Sequence, residues 1–184
     1  MNDTNRLGML LFIASEAVFF VLLILAFVIY HQDAGNAAEA AANLDLEPTA
    51  IFTAFLVTSS LTVWLAGRSR RRGNGRSCLA WIAATLVLGA VFLVGQGREY
   101  ARLIGKDVTI SRDLFGTTFF TVTGFHGLHV LIGLVLLAAL LAGGVAWRGR
   151  EPRASLVETV SLYWHFVDAV WLVVFPVVYL WGRW

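Results

Sequence analysis

Five runs of apolar residues, interrupted by short polar connections, carry most of the pattern in this chain. They are Leu7 to Tyr30, Thr49 to Ala66, Cys78 to Gln96, Gly116 to Trp147 and Leu156 to Trp181. A helix needs roughly 20 apolar residues to cross the hydrocarbon of a bilayer, so each run is long enough to span. The fourth is longer than a bilayer needs and should tilt or project. The pattern predicts an all-α, polytopic membrane helix bundle of five transmembrane helices, residues 1–184 forming a single domain. The longest connections, His31 to Pro48 and Gly97 to Phe115, are loops and leave no room for a soluble domain. No internal repeat is evident.

Composition agrees with this. Hydrophobic residues make up 58% and charged residues 14%, against about a quarter charged in soluble domains. Seven Trp suit side chains anchored at the two interfaces; Trp181 and Trp184 are placed for the second of them. The formal charge of +2 is too small to suggest nucleic acid. Cys78 is the single cysteine, which excludes an internal disulfide and says nothing of the redox compartment. The first run is too long for a signal-peptide core and lacks a small-residue cleavage pattern, so it is expected to remain as a spanning anchor.

The basic residues set an expected orientation. Arg68, Arg70, Arg71, Arg72 and Arg76 in the second connection, Arg148, Arg150 and Arg153 in the fourth, and Arg6 place nine on one side. Arg98, Arg102, Lys106, Arg112 and Arg183 place five on the other, together with the acidic Asp33, Glu39, Asp45 and Glu47. The N-terminus is therefore expected in the cytoplasm and the C-terminus outside. A short membrane loop already accounts for the arginine run, so it is no nucleic-acid patch.

Ionisable residues inside the spans are costly and are candidates for function. Glu16 lies nine residues inside Leu7, roughly 13 Å into the core at 1.5 Å per residue. It should be protonated or hydrogen-bonded, either in a functional role or as a structural bond to a neighbouring helix. His126 and His129 lie three apart in FGTTFFTVTGFHGLHVLIG, on one helix face. Gly124, Gly127 and Gly133 recur around them and would let another helix come close. In VETVSLYWHFVDAVW, His165 and Asp168 share a face, with Glu158 about two turns earlier; Asp168 is placed to hold the His165 ring. Depth estimates put His126, His165 and Glu16 near the midplane, as one polar layer built from three helices. The layer reads as a proton or ion site, a metal site or a hydrogen-bonded core.

The metal reading is the weakest. Di-iron bundles combine Glu with Glu-x-x-His pairs, a pattern absent here. His126 and His165 on facing helices suit a bis-histidine haem, but glycine and phenylalanine around His126 leave little room. The hydroxyls of the second run, Thr53, Thr58, Ser59, Ser60 and Thr62, can bond to carbonyls one turn back and need no function. Gln96, Glu99 and Tyr100 fall at the outer interface, where a surface role fits better than a catalytic one. Pro176 should bend or loosen the outer part of the last helix.

Four segments together resemble the cytochrome c oxidase subunit III family of the haem–copper oxidases: GMLLFIASEAVFF (Gly8 to Phe20), LGAVFLVGQGREY (Leu88 to Tyr100), FGTTFFTVTGFHGLHVLIG (Phe115 to Gly133) and YWHFVDAVW (Tyr163 to Trp171). Their order and spacing match across nearly the whole chain, and GFHGLHV with YWHFVD is highly specific. The chain resembles the short five-helix form, lacking the first two of the seven helices of many members.

The resemblance implies a non-catalytic subunit of a bacterial inner-membrane terminal oxidase, with no catalytic residue and no metal of its own. Haem and copper reside in partner subunits I and II. Subunit III packs on subunit I near a proton uptake path, binds phospholipid, supports proton uptake and protects the oxidase during turnover. Other respiratory complexes are further candidate partners. Glu16 falls on the family's intramembrane glutamate; Glu158, His165 and Asp168 fall on last-helix polar positions, and His126 and His129 on the GFHGLH pair. Third subunits of quinol oxidases or nitric oxide reductases are the nearest alternative. They usually carry aspartate at the position of Glu16. An independent membrane transporter or metal-binding protein is the other.

Overall fold

The computed structural model describes residues 3–31, 44–110, 114–146 and 154–180. Five helices make up nearly all of it: α1 (Asp3–Tyr30), α2 (Leu46–Arg71), α3 (Gly75–Gly105), α4 (Leu114–Ala146) and α5 (Ala154–Phe175). Each is long and apolar enough to cross a membrane. The sequence positions called on at Arg148, Arg150, Arg153, Trp181, Arg183 and Trp184, and in most of the acidic first connection, lie outside the described residues.

The helices extend past the apolar runs where polar residues continue the backbone hydrogen bonding. Arg68, Arg70 and Arg71 form the last turn of α2 rather than a loop, and the chain reverses within Arg72, Gly73 and Asn74. Gly73 takes a φ of 74°, a left-handed conformation that glycine adopts without a Cβ penalty. The Asn74 side chain then accepts a hydrogen bond from the Ser77 amide at 3.0 Å, capping α3. At the other end of the chain, α5 gives way at Pro176 to a π-helical turn, Pro176–Leu180. Proline has no amide hydrogen for the regular ladder, so the wider turn begins there.

α2 and α3 pair as an antiparallel hairpin. α3 packs on α4, α4 on α5, and α5 back on α2, which closes a four-helix ring. α1 lies outside this ring against α4 and α5. It is the least covered helix, with Leu7, Leu11, Val18 and Leu22 turned outward.

At the centre of the ring sits Trp164, fully buried. A Cβ built on Gly133 of α4 or on Gly89 of α3 would fall 2.7 Å from its indole carbons. Those two glycines are what let three helices meet around one large ring. Gly124 and Gly127, expected to serve this purpose, do not: their nearest neighbours lie 3.9 and 3.8 Å from a built Cβ, an ordinary contact distance. Of the three glycines around the histidines, only Gly133 faces a ring that leaves no space.

Candidate functional site

The polar residues of the spans fall into three groups rather than one layer. His126 and His129 part company because three residues turn a helix by about 300°, leaving the two side chains roughly 60° apart. His129 points to α1, where its Nε2 lies 3.1 Å from Glu16 Oε2. His126 points into the ring, fully buried, stacked on Trp171 at 4.6 Å and edge-on to Phe92 at 5.8 Å. Neither of its ring nitrogens has a hydrogen-bond partner among the described residues.

The chemistry of the first group, Glu16 with His129, follows from its bonds. His129 Nδ1 is 2.7 Å from the Phe125 carbonyl, and a carbonyl only accepts, so Nδ1 carries a proton. The bond between Nε2 and Glu16 then needs one proton between the two atoms, either on the carboxyl or on the imidazole. In both states the pair is neutral overall, which is what allows two ionisable groups to sit inside a span. Phe20 packs edge-on to the His129 ring at 5.1 Å, and the Tyr163 hydroxyl donates to the His129 carbonyl at 3.0 Å. The pair is thereby tied to α1, α4 and α5 together. Glu16 itself keeps 24% of its side-chain surface exposed on the α1 flank.

The second group lies between α2 and α5. Asp168 was expected to hold the His165 ring directly. Instead Ser60 stands between them: its hydroxyl donates to Asp168 Oδ2 and lies 3.1 Å from His165 Nδ1. The two α5 side chains sit on one face, and that face meets α2, so a small hydroxyl from the facing helix fills the gap. Asp168 is buried, and its other oxygen, Oδ1, has no partner among the described residues. Glu158 is two turns away and lines a cleft together with Arg71, Ser161 and His165.

The third group is at the far end of the bundle. Gln96 and Glu99, expected at an exposed interface, are buried. The reason is a charged cluster: Arg102 donates to both Glu99 oxygens at 3.1 and 2.6 Å and lies 2.9 Å from Asp45 Oδ2. The Asp45 amide also donates to Glu99 Oε1 at 3.3 Å, which pins the start of α2 to the end of α3. Tyr100 donates to Thr123 Oγ1 at 2.8 Å and joins α3 to α4.

Hydroxyls of α2 carry more than the sequence suggested. Thr49, Thr53 and Thr58 do bond to carbonyls one turn back. Thr53 and Ser59, however, also accept from the indoles of Trp171 and Trp164 at 2.9 and 2.8 Å, and Ser60 serves His165 and Asp168. The available signal was the recurrence of hydroxyls along α2, in a chain whose last run carries Trp164, His165, Asp168 and Trp171.

Among the described residues, no three His, Cys, Asp or Glu side chains are grouped so as to hold a metal ion.

The family model described as cytochrome c oxidase subunit III matches residues 1–183. The cytochrome c oxidase subunit 3 of Corynebacterium diphtheriae is 34% identical over 184 residues, covering 97% of this chain and 90% of that protein. That of Synechocystis is 35% identical, covering 97% of this chain and 76% of the relative. The shark protein of the same name, from Scyliorhinus canicula, is 37% identical, covering 96% and 69%. These matches favour subunit III of a haem–copper terminal oxidase over the quinol oxidase, nitric oxide reductase and transporter readings. Such a subunit works in a complex with other oxidase subunits, and the five apolar helices make this chain a multi-pass membrane protein. With a family model matching residues 1–183 and relatives of that name at 34–37% identity, the chain belongs to the cytochrome c oxidase subunit III family.

Proposed function

We propose that this chain is a non-catalytic subunit of a bacterial inner-membrane oxidase, that it packs on subunit I and holds phospholipid, and that it supports proton uptake and turnover stability. Its residues form one five-helix domain with the N-terminus in the cytoplasm. Haem and copper belong to the partner subunits. The intramembrane polar residues Glu16, His126, His129, Glu158, His165 and Asp168 serve proton handling and packing; Gln96, Glu99 and Tyr100 hold the opposite end.

The observation that carries this reading is the Glu16–His129 pair. It places a hydrogen-bonded carboxyl and imidazole inside a span, on the exposed flank of the bundle, and ties three helices together there. An intramembrane acid–base pair fits proton and lipid chemistry.

The test is depletion of this chain from the assembled oxidase. The isolated chain is expected to carry no haem or copper and to reduce no oxygen. The depleted complex should keep its initial electron transfer. Its proton uptake should slow at high pH, and its activity should decay faster over repeated turnovers. Unchanged proton uptake together with an unchanged turnover lifetime would leave assembly alone as the role.

A further inference from the structure

We propose that Ser60 joins His165 and Asp168 into a proton relay that exchanges with the arginine-rich end of the bundle through a cleft between α2 and α5. The inference rests on the proton-handling reading only in its purpose.

The cleft has a volume of about 200 Å³ and is lined by Trp64, Gly67 and Arg71 of α2 and by Glu158, Ser161 and His165 of α5. Its mouth is therefore charged, and His165 is the lining side chain that continues inward. From His165 Nδ1 the Ser60 hydroxyl is 3.1 Å away, and the same hydroxyl donates to Asp168 Oδ2. Two further buried polar atoms without a partner among the described residues, Ser161 Oγ and Asp168 Oδ1, lie along this route. A hydroxyl can accept one proton while releasing another, so the three residues form a continuous path of donors and acceptors.

The step balances as follows. A proton from the cleft adds to Nε2 of His165. The ring releases its Nδ1 proton to Ser60 Oγ, and Ser60 passes its own proton to the Asp168 carboxylate. No electron moves, and the return path restores the histidine tautomer.

The charged groups around the relay have other engagements. On α2, Arg68 lies over the Trp64 ring at 5.4 Å, and Arg71 lines the cleft. On α5, Glu158 lines the same cleft. On α4, His126 is stacked on Trp171, about one turn beyond Asp168. On α1, Glu16 is paired with His129. Glu158 and Arg71 are thus the groups placed at the mouth, while Ser60 carries the proton between the two titrating ones.

The test uses the assembled oxidase complex at rest, at mildly acidic pH, transferred from H2O to D2O. Infrared spectroscopy follows the carboxylic acid band that disappears in Asp168→Asn. Ser60→Ala should slow deuterium exchange of that band by at least about a hundredfold, the scale of a lost proton-transfer group. Ser60→Thr, which keeps the hydroxyl, should restore it. Gly67→Leu tests the cleft separately: a Cβ there meets only Arg71 Nη1, at 3.6 Å, so the side chain can fill the mouth without disturbing the backbone. It too should slow exchange. Exchange as fast as in the parent complex in both Ser60→Ala and Gly67→Leu would overturn the relay. Because nothing turns over in this measurement, that result would leave the proton-uptake role to be judged by depletion alone.

Discussion

Trp164 lies so close over Gly133 that a Cβ on the glycine would approach its indole carbons to 2.7 Å. The same indole covers Gly89 of α3 and donates from Nε1 to Ser59 of α2 at 2.8 Å. One side chain thus sets the spacing of all four helices in the ring. Added volume has nowhere to go, because at both glycines the nearest neighbour is the rigid indole of Trp164 rather than the end of a flexible chain. Gly133→Ala and Gly89→Ala should each destabilise the subunit by about 1–3 kcal/mol, the usual cost of overpacking. Gly124→Ala should cost far less. Thermal release of the subunit from the purified complex measures the difference, and equal release temperatures for Gly133→Ala and Gly124→Ala would contradict this packing.

Trp164→Phe removes the hydrogen bond together with part of the ring volume. Ser59 keeps its own bond to the Leu56 carbonyl, so no buried hydroxyl is stranded. The expected loss is about 0.5–1.5 kcal/mol from the missing bond, with some further cost from the smaller ring. Denaturant or thermal midpoints of the complex would show it, and a midpoint equal to that of the parent would contradict this role for the indole.

A hydrophobic carbodiimide should modify Glu16 at neutral pH. The reagent partitions into lipid and needs a carboxyl proton, and the Glu16–His129 pair supplies one on an exposed flank. Glu16→Gln should abolish labelling while leaving the complex assembled, since an amide still bonds to the imidazole. Infrared difference spectra showing Glu16 wholly as a carboxylate at pH 7, with no labelling, would place the proton on His129 instead.

The Arg102 cluster predicts an asymmetry between its two acids. Glu99 is buried and takes both Arg102 nitrogens, whereas the Asp45 side chain is about half exposed. Glu99→Ala should cost about 1–3 kcal/mol, because Arg102 loses two bonds and the Asp45 amide loses its acceptor. Asp45→Ala should cost at most about 1 kcal/mol, as for other solvent-screened pairs. Comparing the thermal stability of the two variants checks this, and equal losses would mean that the Asp45 pairing is not screened.

Labelling from each side of the membrane tests the orientation. Cysteine at Asn74, exposed in the turn between α2 and α3, should react only from the cytoplasm, and cysteine at Lys106 only from outside. The native Cys78 is buried and should add little background. The reverse pattern would invert the topology inferred from the arginine distribution.

Five spanning helices follow from the chain's own hydropathy, because lipid demands about 20 apolar residues in a row whatever the neighbours are. The family is carried the same way: GFHGLHV and YWHFVD are read directly from residue order. Turns at Gly73 and the break at Pro176 are local, so their residues announce them. What hydropathy cannot show is which side of a spanning helix faces protein, since the inner and lipid faces of α4 are equally apolar; the inner face is marked instead by Thr123, His126, His129 and Gly133. The separation of His126 from His129 depended on two different neighbouring helices, and the burial of Glu99 depended on Arg102 and on the start of α2. Ser60 was indistinguishable from the other α2 hydroxyls until α5 was laid against it, because its partners lie more than a hundred residues away along the chain. The number of helices, the family and the candidate residues were therefore written in the linear order, while the pairings that give those residues their chemistry came only from how the helices pack.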